Sequence, residues 1–270
     1  MLKPLFPSAL LALSALACSS SSLAEGPAGP AATNAADFRY QKALTATTRV
    51  EMRDLNGAIH VEPASGDTFE VVAIKSGRRE DFARVQVVVR EEAGTIVVCA
   101  VWPGQDPATC HAGVALSGSS EDNVKVRVEL RVRIPSKVIA LAAHTLNGDI
   151  DAQSPAGDVD LHTLNGSIDV TARGAITAET LNGHVTARAD AGKAVRLATN
   201  NGKVEVSLPA ASDADVQAST TNGRVSSDFG DVPAPSIRRL HDVKLRLGAG
   251  GTAISLRTMN GDVLVRRAGS

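Results

Sequence analysis

The sequence predicts an all-β fold, a β-solenoid of two-strand coils of about 18 residues each, preceded by a β-rich N-terminal portion. Two observations predict it. Asn-Gly recurs along the 270-residue chain, and apolar residues alternate with polar ones on both sides of each pair. After a first pair at Asn56, the pairs are Asn147 and Gly148, Asn165 and Gly166, Asn182 and Gly183, Asn201 and Gly202, Asn222 and Gly223, and Asn260 and Gly261.

Aligning the chain on these asparagines produces columns of similar residues. Threonine stands two positions before each, at Thr145, Thr163, Thr180, Thr199, Thr220 and Thr258. Valine or isoleucine stands three positions after, at Ile150, Ile168, Val185, Val204, Val225 and Val263. Small and large residues alternate four positions before, at Ala143, Leu161, Ala178, Leu197, Ala218 and Leu256. Alternation on both sides of a turn indicates two short strands per unit, and stacked units would place the columns in ladders.

Asn-Gly is a strong turn signal because both residues tolerate positive φ, and we expect a positive φ at the glycine of each pair. From Asn147 to Asn222 the spacings are 17–21 residues, and the last one, from Asn222 to Asn260, is 38. The longer spacing predicts two periods with one degenerate unit. We place the solenoid repeats at residues 136–268, with small and large residues interdigitating between neighbouring coils.

The preceding residues 38–135 are β-rich but less regular. Residues 50–61 fit the same template around Asn56, which predicts one early coil before an insertion. Within the insertion we predict strands at residues 69–74, 85–89, 96–101 and 124–134, and a helical turn at 79–84.

The chain begins with an export signal, for which two cleavage sites compete. Cleavage before Cys18, after a loose lipobox that ends at Ala17, would leave a lipidated cysteine and a signal at residues 1–17. Cleavage after Ala24 would remove a signal peptide at residues 1–24. The Ser/Ala/Gly/Pro-rich residues 18–37 predict a flexible linker. Either cleavage predicts an exported protein, periplasmic or anchored in the outer membrane as a lipoprotein.

Cys99 and Cys110 flank a turn-rich segment. In an oxidising envelope compartment they predict a disulfide, and the alternative is two free thiols.

Composition and side-chain chemistry exclude several functions. The formal net charge of −1 and the 3% aromatic content give no case for nucleic-acid binding, and no apolar run reaches the roughly 18 residues of a membrane span.

His144 and His162 share a column with Glu179 and could bind zinc, but we expect solvated side chains and no metal or cofactor. An acidic cluster on the first coils could serve a carbohydrate-active enzyme, but solvated strand faces also need such residues, so we expect no catalytic residue. The cluster is Asp149, Asp151, Asp158, Asp160 and Asp169.

The strand at 124–134 has a charged outward face, consisting of Lys125, Arg127, Glu129, Arg131 and Arg133. These cations could meet an anionic lipid or polymer, but a charged face that protects a sheet edge from aggregation is favoured.

The NGxI/V repeats, the strand ending in RVRIPS and the TLNGDI that follows it resemble the bacterial putative-adhesin β-strand-repeat family over residues 45–265. Members of that family are exported or membrane-attached and have no assigned biochemical function. The resemblance implies a right-handed β-solenoid and an envelope location, and it supplies no catalytic motif.

These observations favour a non-enzymatic, adhesin-like interaction or scaffold module at the cell envelope, with an envelope protein or polymer as partner and a membrane contact only through a lipid anchor. One alternative is a self-assembling structural polymer similar to bactofilins. A carbohydrate-active β-helix enzyme is the other.

Overall fold

The computed structural model describes residues 38–114, 123–153, 156–232 and 241–268, which form two ten-stranded sheets. The strands are β1 (Phe38–Ala43), β2 (Thr48–Arg53), β3 (Ile59–Pro63), β4 (Thr68–Gly77), β5 (Gln86–Glu92), β6 (Thr95–Val101), β7 (Val126–Ile134), β8 (Val138–His144), β9 (Ile150–Gln153), β10 (Asp158–Asn165), β11 (Ile168–Ala172), β12 (Ile176–Asn182), β13 (Val185–Ala189), β14 (Val195–Asn201), β15 (Val204–Leu208), β16 (Ala214–Asn222), β17 (Val225–Ser227), β18 (His241–Leu247), β19 (Thr252–Asn260) and β20 (Val263–Arg267). Two 3₁₀ helices span Arg79–Arg84 and Pro107–Thr109. Within these ranges, no helix combines the length and apolar character needed to cross a membrane.

Sheet A has the strand order β1-β4-β7-β3-β9-β11-β13-β15-β20-β17, and sheet B has the order β18-β16-β19-β14-β12-β10-β8-β2-β6-β5. Each regular coil runs along sheet B, turns at Asn-Gly and continues along sheet A. In coil β10/β11, for example, Ile168 of β11 pairs in parallel with Ile150 below and Val185 above. The predicted all-β, solenoid-like stack of two-strand coils is therefore confirmed.

The early coil is β2/β3, which stacks on coil β8/β9 with Val50 beside Leu141 and Ile59 beside Ile150. The insertion that follows supplies a further coil on its other side, because β6 pairs in parallel with β2 and β7 with β3. The predicted helical turn at 79–84 is the first 3₁₀ helix. Residues 38–135 and 136–268 thus contribute strands to the same two sheets.

The prediction of a degenerate unit between Asn222 and Asn260 is wrong. That part of the chain contains β18, which lies antiparallel to β16. The next coil, β19/β20, then inserts between two earlier coils: β19 pairs with β14 on one side and with β16 on the other. A hairpin strand and its connections therefore occupy about the same length of chain as one coil.

The core lies between the sheets and includes the predicted inward columns. Ile168, Val185 and Val204 are at most 1% exposed. The alternation of small and large residues holds in space from Ala143 to Leu197, but the inserted coil then places Leu256 directly beside Leu197. The interdigitation expected from chain order therefore fails at that coil, because the coils there do not stack in chain order.

Antiparallel strands cover both ends of sheet B: β5 covers β6, and β18 covers β16. At the N-terminal end of sheet A, β4 pairs antiparallel with β7, and β1 with β4. Because β7 is paired on both sides, the interpretation of its charged face as protection for a sheet edge is wrong.

Candidate functional site

The Asn-Gly corners are joined by side chains as well as by backbone. Each column threonine donates a hydrogen bond to the corner glycine carbonyl of the adjacent coil, as Thr163 does to Gly148 and Thr180 to Gly166, both at 2.9 Å. The asparagine amides form a continuous ladder, in which each Nδ2 donates to the next Oδ1 at 2.7–2.8 Å. In stacking order, the ladder consists of Asn147, Asn165, Asn182, Asn201, Asn260 and Asn222.

Glycine is required at these corners by close packing more than by the expected positive φ. At Gly183 and Gly202 φ is 154° and 158°, at the extended limit of the positive range, and Gly166 is not among the residues with positive φ. A β-carbon at Gly166 would lie 2.0 Å from the carbonyl oxygen of Gly148, and one at Gly183 would lie 2.0 Å from that of Gly166. Each corner glycine therefore leaves room for the glycine carbonyl of the adjacent coil, which accepts the hydrogen bond from the column threonine.

The ladder ends differently at coil β2/β3, where Asp54 occupies the threonine position. Asp54 is fully buried, and its Oδ1 accepts hydrogen bonds from the Trp102 indole at 3.1 Å and from the Leu55 amide at 2.7 Å. Its Oδ2 is buried without a hydrogen-bond partner. Burial raises the pKa of this carboxyl to about 7, although the bonds from Trp102, Asn56 and Leu55 act in the opposite direction.

The structure contains the predicted Cys99–Cys110 disulfide, which links β6 to the loop after it. A structural disulfide is typical of an extracytoplasmic protein. Cys18, both cleavage sites and the linker at residues 18–37 lie outside the described residues.

The outer face of sheet B carries three rows of side chains across β8, β10 and β12. The aliphatic row lies nearest the Asn-Gly corner and consists of Leu164 and Leu181, which are 42% and 37% exposed, whereas Leu146 at the same position of the preceding coil packs against the core. The histidine row contains His144, His162 and Glu179, which are register partners. The third row contains Ala142, Asp160 and Thr177.

The histidine row is brought together as the sequence predicts, but the nearest carboxylate is a different one. The rings of His144 and His162 are 5.1 Å apart and perpendicular. Asp160 Oδ1 lies 2.8 Å from His162 Nε2, whereas Glu179 Oε2 lies 4.0 Å from His162 Nδ1. The sequence could have indicated Asp160, because residues two apart on a strand face the same side.

Charge and burial affect the two imidazoles in opposite directions. The hydrogen bond with Asp160 raises the pKa of His162 and lowers that of the Asp160 carboxyl. Burial, followed by the neighbouring His162, lowers the pKa of His144. His144 Nε2 is buried and has no hydrogen-bond partner within the described part of the chain. The half-buried imidazole of His144 thus lies beside an imidazole–carboxylate pair.

A groove of about 670 Å³ adjoins this cluster, with alanines such as Ala142 and Ala175 in its lining and Glu51 and Asp160 among its charged residues. A second groove, of about 640 Å³, lies on the outer face of sheet A, where Arg131 and Arg133 mix with Glu70 and Glu129. The charged face of β7 therefore carries carboxylates within ion-pair distance of its cations, such as Glu129 at 2.6 Å from Arg131.

The five predicted acidic residues do not form one cluster. Asp149 and Asp158 accept backbone hydrogen bonds at 2.7 and 2.8 Å from the next coil. Asp160 lies on sheet B, and Asp151 and Asp169 are partners on sheet A. Burial raises the pKa of Asp169; Arg188 opposes that effect, and Asp151 adds to it.

Comparison with known proteins identifies the family. The Toastrack DUF4097 family matches residues 46–266. No protein of curated function matches the chain. A "putative cell adhesion protein" of Clostridium sporogenes is similar at 12% identity and a TM-score of 0.46, covering 86% of this chain and 99% of its own. A "putative adhesin" of Parabacteroides distasonis is similar at 12% identity and a TM-score of 0.34, covering 85% of this chain and 96% of its own.

The matched region includes every Asn-Gly corner and every described strand except β1 and the last residue of β20. The chain belongs to the Toastrack DUF4097 family.

Proposed function

We propose that this protein is an exported, non-enzymatic, adhesin-like interaction module of the bacterial cell envelope, and that the aliphatic row on sheet B is its contact surface. The exposure of that row carries the proposal. Leu164 and Leu181 sit on adjacent strands with more than a third of each side chain exposed. Aligned, exposed leucines on a rigid sheet are typical of a surface that a partner covers.

The partner is an envelope protein or polymer. The row lies between the Asn ladder, which offers amide groups, and the histidine row, which offers charge, so that an apolar strip has polar borders. This arrangement matches the apolar centre and polar rim of protein interfaces. Asp149 and Asp158 accept backbone hydrogen bonds, and Asp160 pairs with His162. Because these three carboxylates have structural partners, a binding role is favoured over catalysis.

The experiment measures co-sedimentation of the purified protein with envelope fragments. We expect Leu164→Asn with Leu181→Asn to weaken binding at least tenfold. Ile139→Asn is the matched control, because Ile139 is an equally exposed aliphatic residue of sheet B, at 46%, outside the row. Equal losses in both variants would contradict the contact surface, and turnover of envelope glycans by the wild type would contradict the non-enzymatic role.

Attachment is tested separately. In the lipoprotein form Cys18 carries the anchor, so Cys18→Ser releases the protein from membranes and abolishes labelling by a fatty-acid analogue. A wild-type protein that is soluble and begins at Glu25 would instead be the periplasmic form.

Assembly distinguishes the module from a filament-forming polymer. The edge strands of sheet B, β18 and β5, run antiparallel to the coil strands beside them, so a second copy that met either edge would not continue the parallel stacking of coils. We therefore expect discrete particles in negative-stain micrographs, and filaments would favour the bactofilin-like alternative.

A further inference from the structure

We propose that His144, Asp160 and His162 form a binding site for one zinc ion on the outer face of sheet B. Each residue offers one ligand atom, and the three atoms lie within 4.8 Å of one another. Ligands of tetrahedral zinc, with bonds of about 2.0–2.2 Å, stand roughly 3.3–3.5 Å apart. Small side-chain rotations are enough to bring the three atoms around an ion.

The three ligands are held by paired strands and not by loops. His144 of β8 and His162 of β10 are direct register partners, and Asp160 precedes His162 by two residues on the same face of β10. The inward neighbours of these residues, Ala143 and Leu161, are fully buried. Strands fixed by a packed core hold ligands more accurately than loops do.

A second carboxylate lies near the other nitrogen of the central imidazole. His162 Nε2 faces Asp160, while its other nitrogen, Nδ1, lies 4.0 Å from Glu179 Oε2. Glu179 is held in turn by Arg196, whose Nε donates to it at 2.9 Å. Zinc-binding histidines usually direct their second ring nitrogen at a carboxylate or carbonyl, which fixes the tautomer and orients the ring.

The unpartnered nitrogen of His144 is the second independent observation. An ion pair between His162 and Asp160 explains those two side chains but leaves His144 Nε2 buried without a hydrogen bond in the described part of the chain. Such an atom costs free energy unless it finds a partner. A cation bound beside Asp160 supplies that partner.

The donor set selects the metal. Two imidazoles with one carboxylate suit zinc and related transition metals, whereas calcium and magnesium prefer sites made of oxygen ligands. Asp160 is exposed, so a fourth coordination position faces the solvent. The site would therefore have three protein ligands and one open position.

The experiment is titration of the metal-free protein with zinc chloride, followed by calorimetry, and with cobalt chloride, followed by visible absorption. We expect one ion per chain and a cobalt spectrum of a four-coordinate site with nitrogen ligands. His144→Ala, His162→Ala and Asp160→Asn should each weaken zinc binding at least tenfold, and Glu179→Gln about tenfold. Thermal unfolding in the presence of a chelator checks that the variants are folded. We expect them to be, because all four side chains lie on the outer face of the sheet.

The matched control is His60→Ala. His60 is an exposed imidazole on sheet A with Glu129 at 3.8 Å, and it has no second histidine among the register partners of its strand, β3. Unchanged zinc affinity in this variant supports the site. No saturable binding by the wild type, unchanged affinity in the His144 and His162 variants, or an equal loss in the His60 variant would each overturn the proposal.

Discussion

The position two residues before each corner asparagine has opposite hydrogen-bonding roles in two parts of the molecule, the interior coils and coil β2/β3, which forms the N-terminal rung of the corner ladder. In the interior, a threonine hydroxyl donates to a glycine carbonyl of the adjacent coil, as Thr180 does to Gly166. At the N-terminal rung, the neighbouring side chain is the Trp102 indole, itself a donor, and the position holds the acceptor Asp54. The indole N–H is a donor only, so it cannot accept the bond that a threonine hydroxyl donates in the interior, whereas the Asp54 carboxyl oxygen accepts from it.

The largest expected effect on stability comes from filling the space between a corner glycine and the backbone carbonyl of the adjacent coil. We expect Gly166→Ala to destabilise the protein by about 4 kcal/mol or more, because its β-carbon would lie 2.0 Å from a backbone oxygen that cannot move without breaking the ladder. Gly192→Ala is the control: Gly192 has a φ of 75°, and a β-carbon added there would have no atom within 4 Å, so the change should cost only about 1 kcal/mol. Chemical denaturation compares the two, and equal costs would contradict the close approach as the reason for glycine at the corner.

The next effect concerns the core beneath the interior rungs. Ile168→Ala and Val185→Ala should each cost about 2–4 kcal/mol, because they leave cavities between fully buried neighbours. Their outward neighbours, Asp169→Ala and Thr186→Ala, should change stability by about 0.5 kcal/mol. Since Ile168 and Val185 are register partners, the double variant should deviate from additivity. Equal costs for inward and outward pairs in chemical denaturation would contradict the stacked coils.

The N-terminal rung should make stability depend on pH. The pKa of Asp54 is raised from 3.8 to about 7, so the folded protein keeps a proton that the unfolded chain loses between about pH 4 and 7. Stability from this group is therefore complete at low pH and is lost as the pH rises through 7. Asp54→Asn keeps the acceptor for Trp102 and cannot titrate. We expect the stability of this variant relative to wild type to increase by about 2 kcal/mol or more between pH 4 and 8, measured by denaturant titration.

A flat difference between wild type and Asp54→Asn across that range would show that the Asp54 carboxyl is ionised in the folded protein. The ladder would then end on a buried charge held by Trp102 and two amides.

The smallest effect is the loss of one interior hydroxyl. Thr180→Val keeps the shape of the side chain and removes the 2.9 Å bond to Gly166, and it should cost about 1 kcal/mol. Thr186→Val, on the outer face of sheet A, is the control and should be nearly neutral. Differential scanning calorimetry can resolve the difference, and an equal cost for both variants would contradict a role for the hydroxyl ladder.

Column positions could be predicted from the sequence because each coil repeats the same contacts. A spacing of 17–19 residues places Thr163 above Thr145 whatever the rest of the chain does. Coil order could not be predicted, because it depends on which strand edges meet in the folded protein. The 38 residues between Asn222 and Asn260 fit two coils as well as they fit a hairpin strand followed by one inserted coil.

The candidate ligand cluster shows the same limit on a smaller scale. Stacking of His144 on His162 follows from the repeat, and it is present. The choice between Asp160 and Glu179 as the nearer carboxylate depends on side-chain rotamers and on Arg196, which holds Glu179 at 2.9 Å. A sequence specifies which residues share a face, whereas it does not specify which way their side chains turn.

The inserted coil β19/β20 has a consequence for the order in which the chain can fold. Coil β16/β17 is synthesised first, and its Asn222 and Val225 fit the same columns as the coil that finally lies beneath it. Until residues 252–267 are available, β16 can pair directly with β14 in a register that aligns all the residue columns. The resulting stack lacks one coil, β19/β20. Completing the native stack then requires that pairing to open. A chain truncated before Thr252 would therefore be left in a shorter solenoid, and residues 252–267 determine where coil β16/β17, made before them, comes to rest.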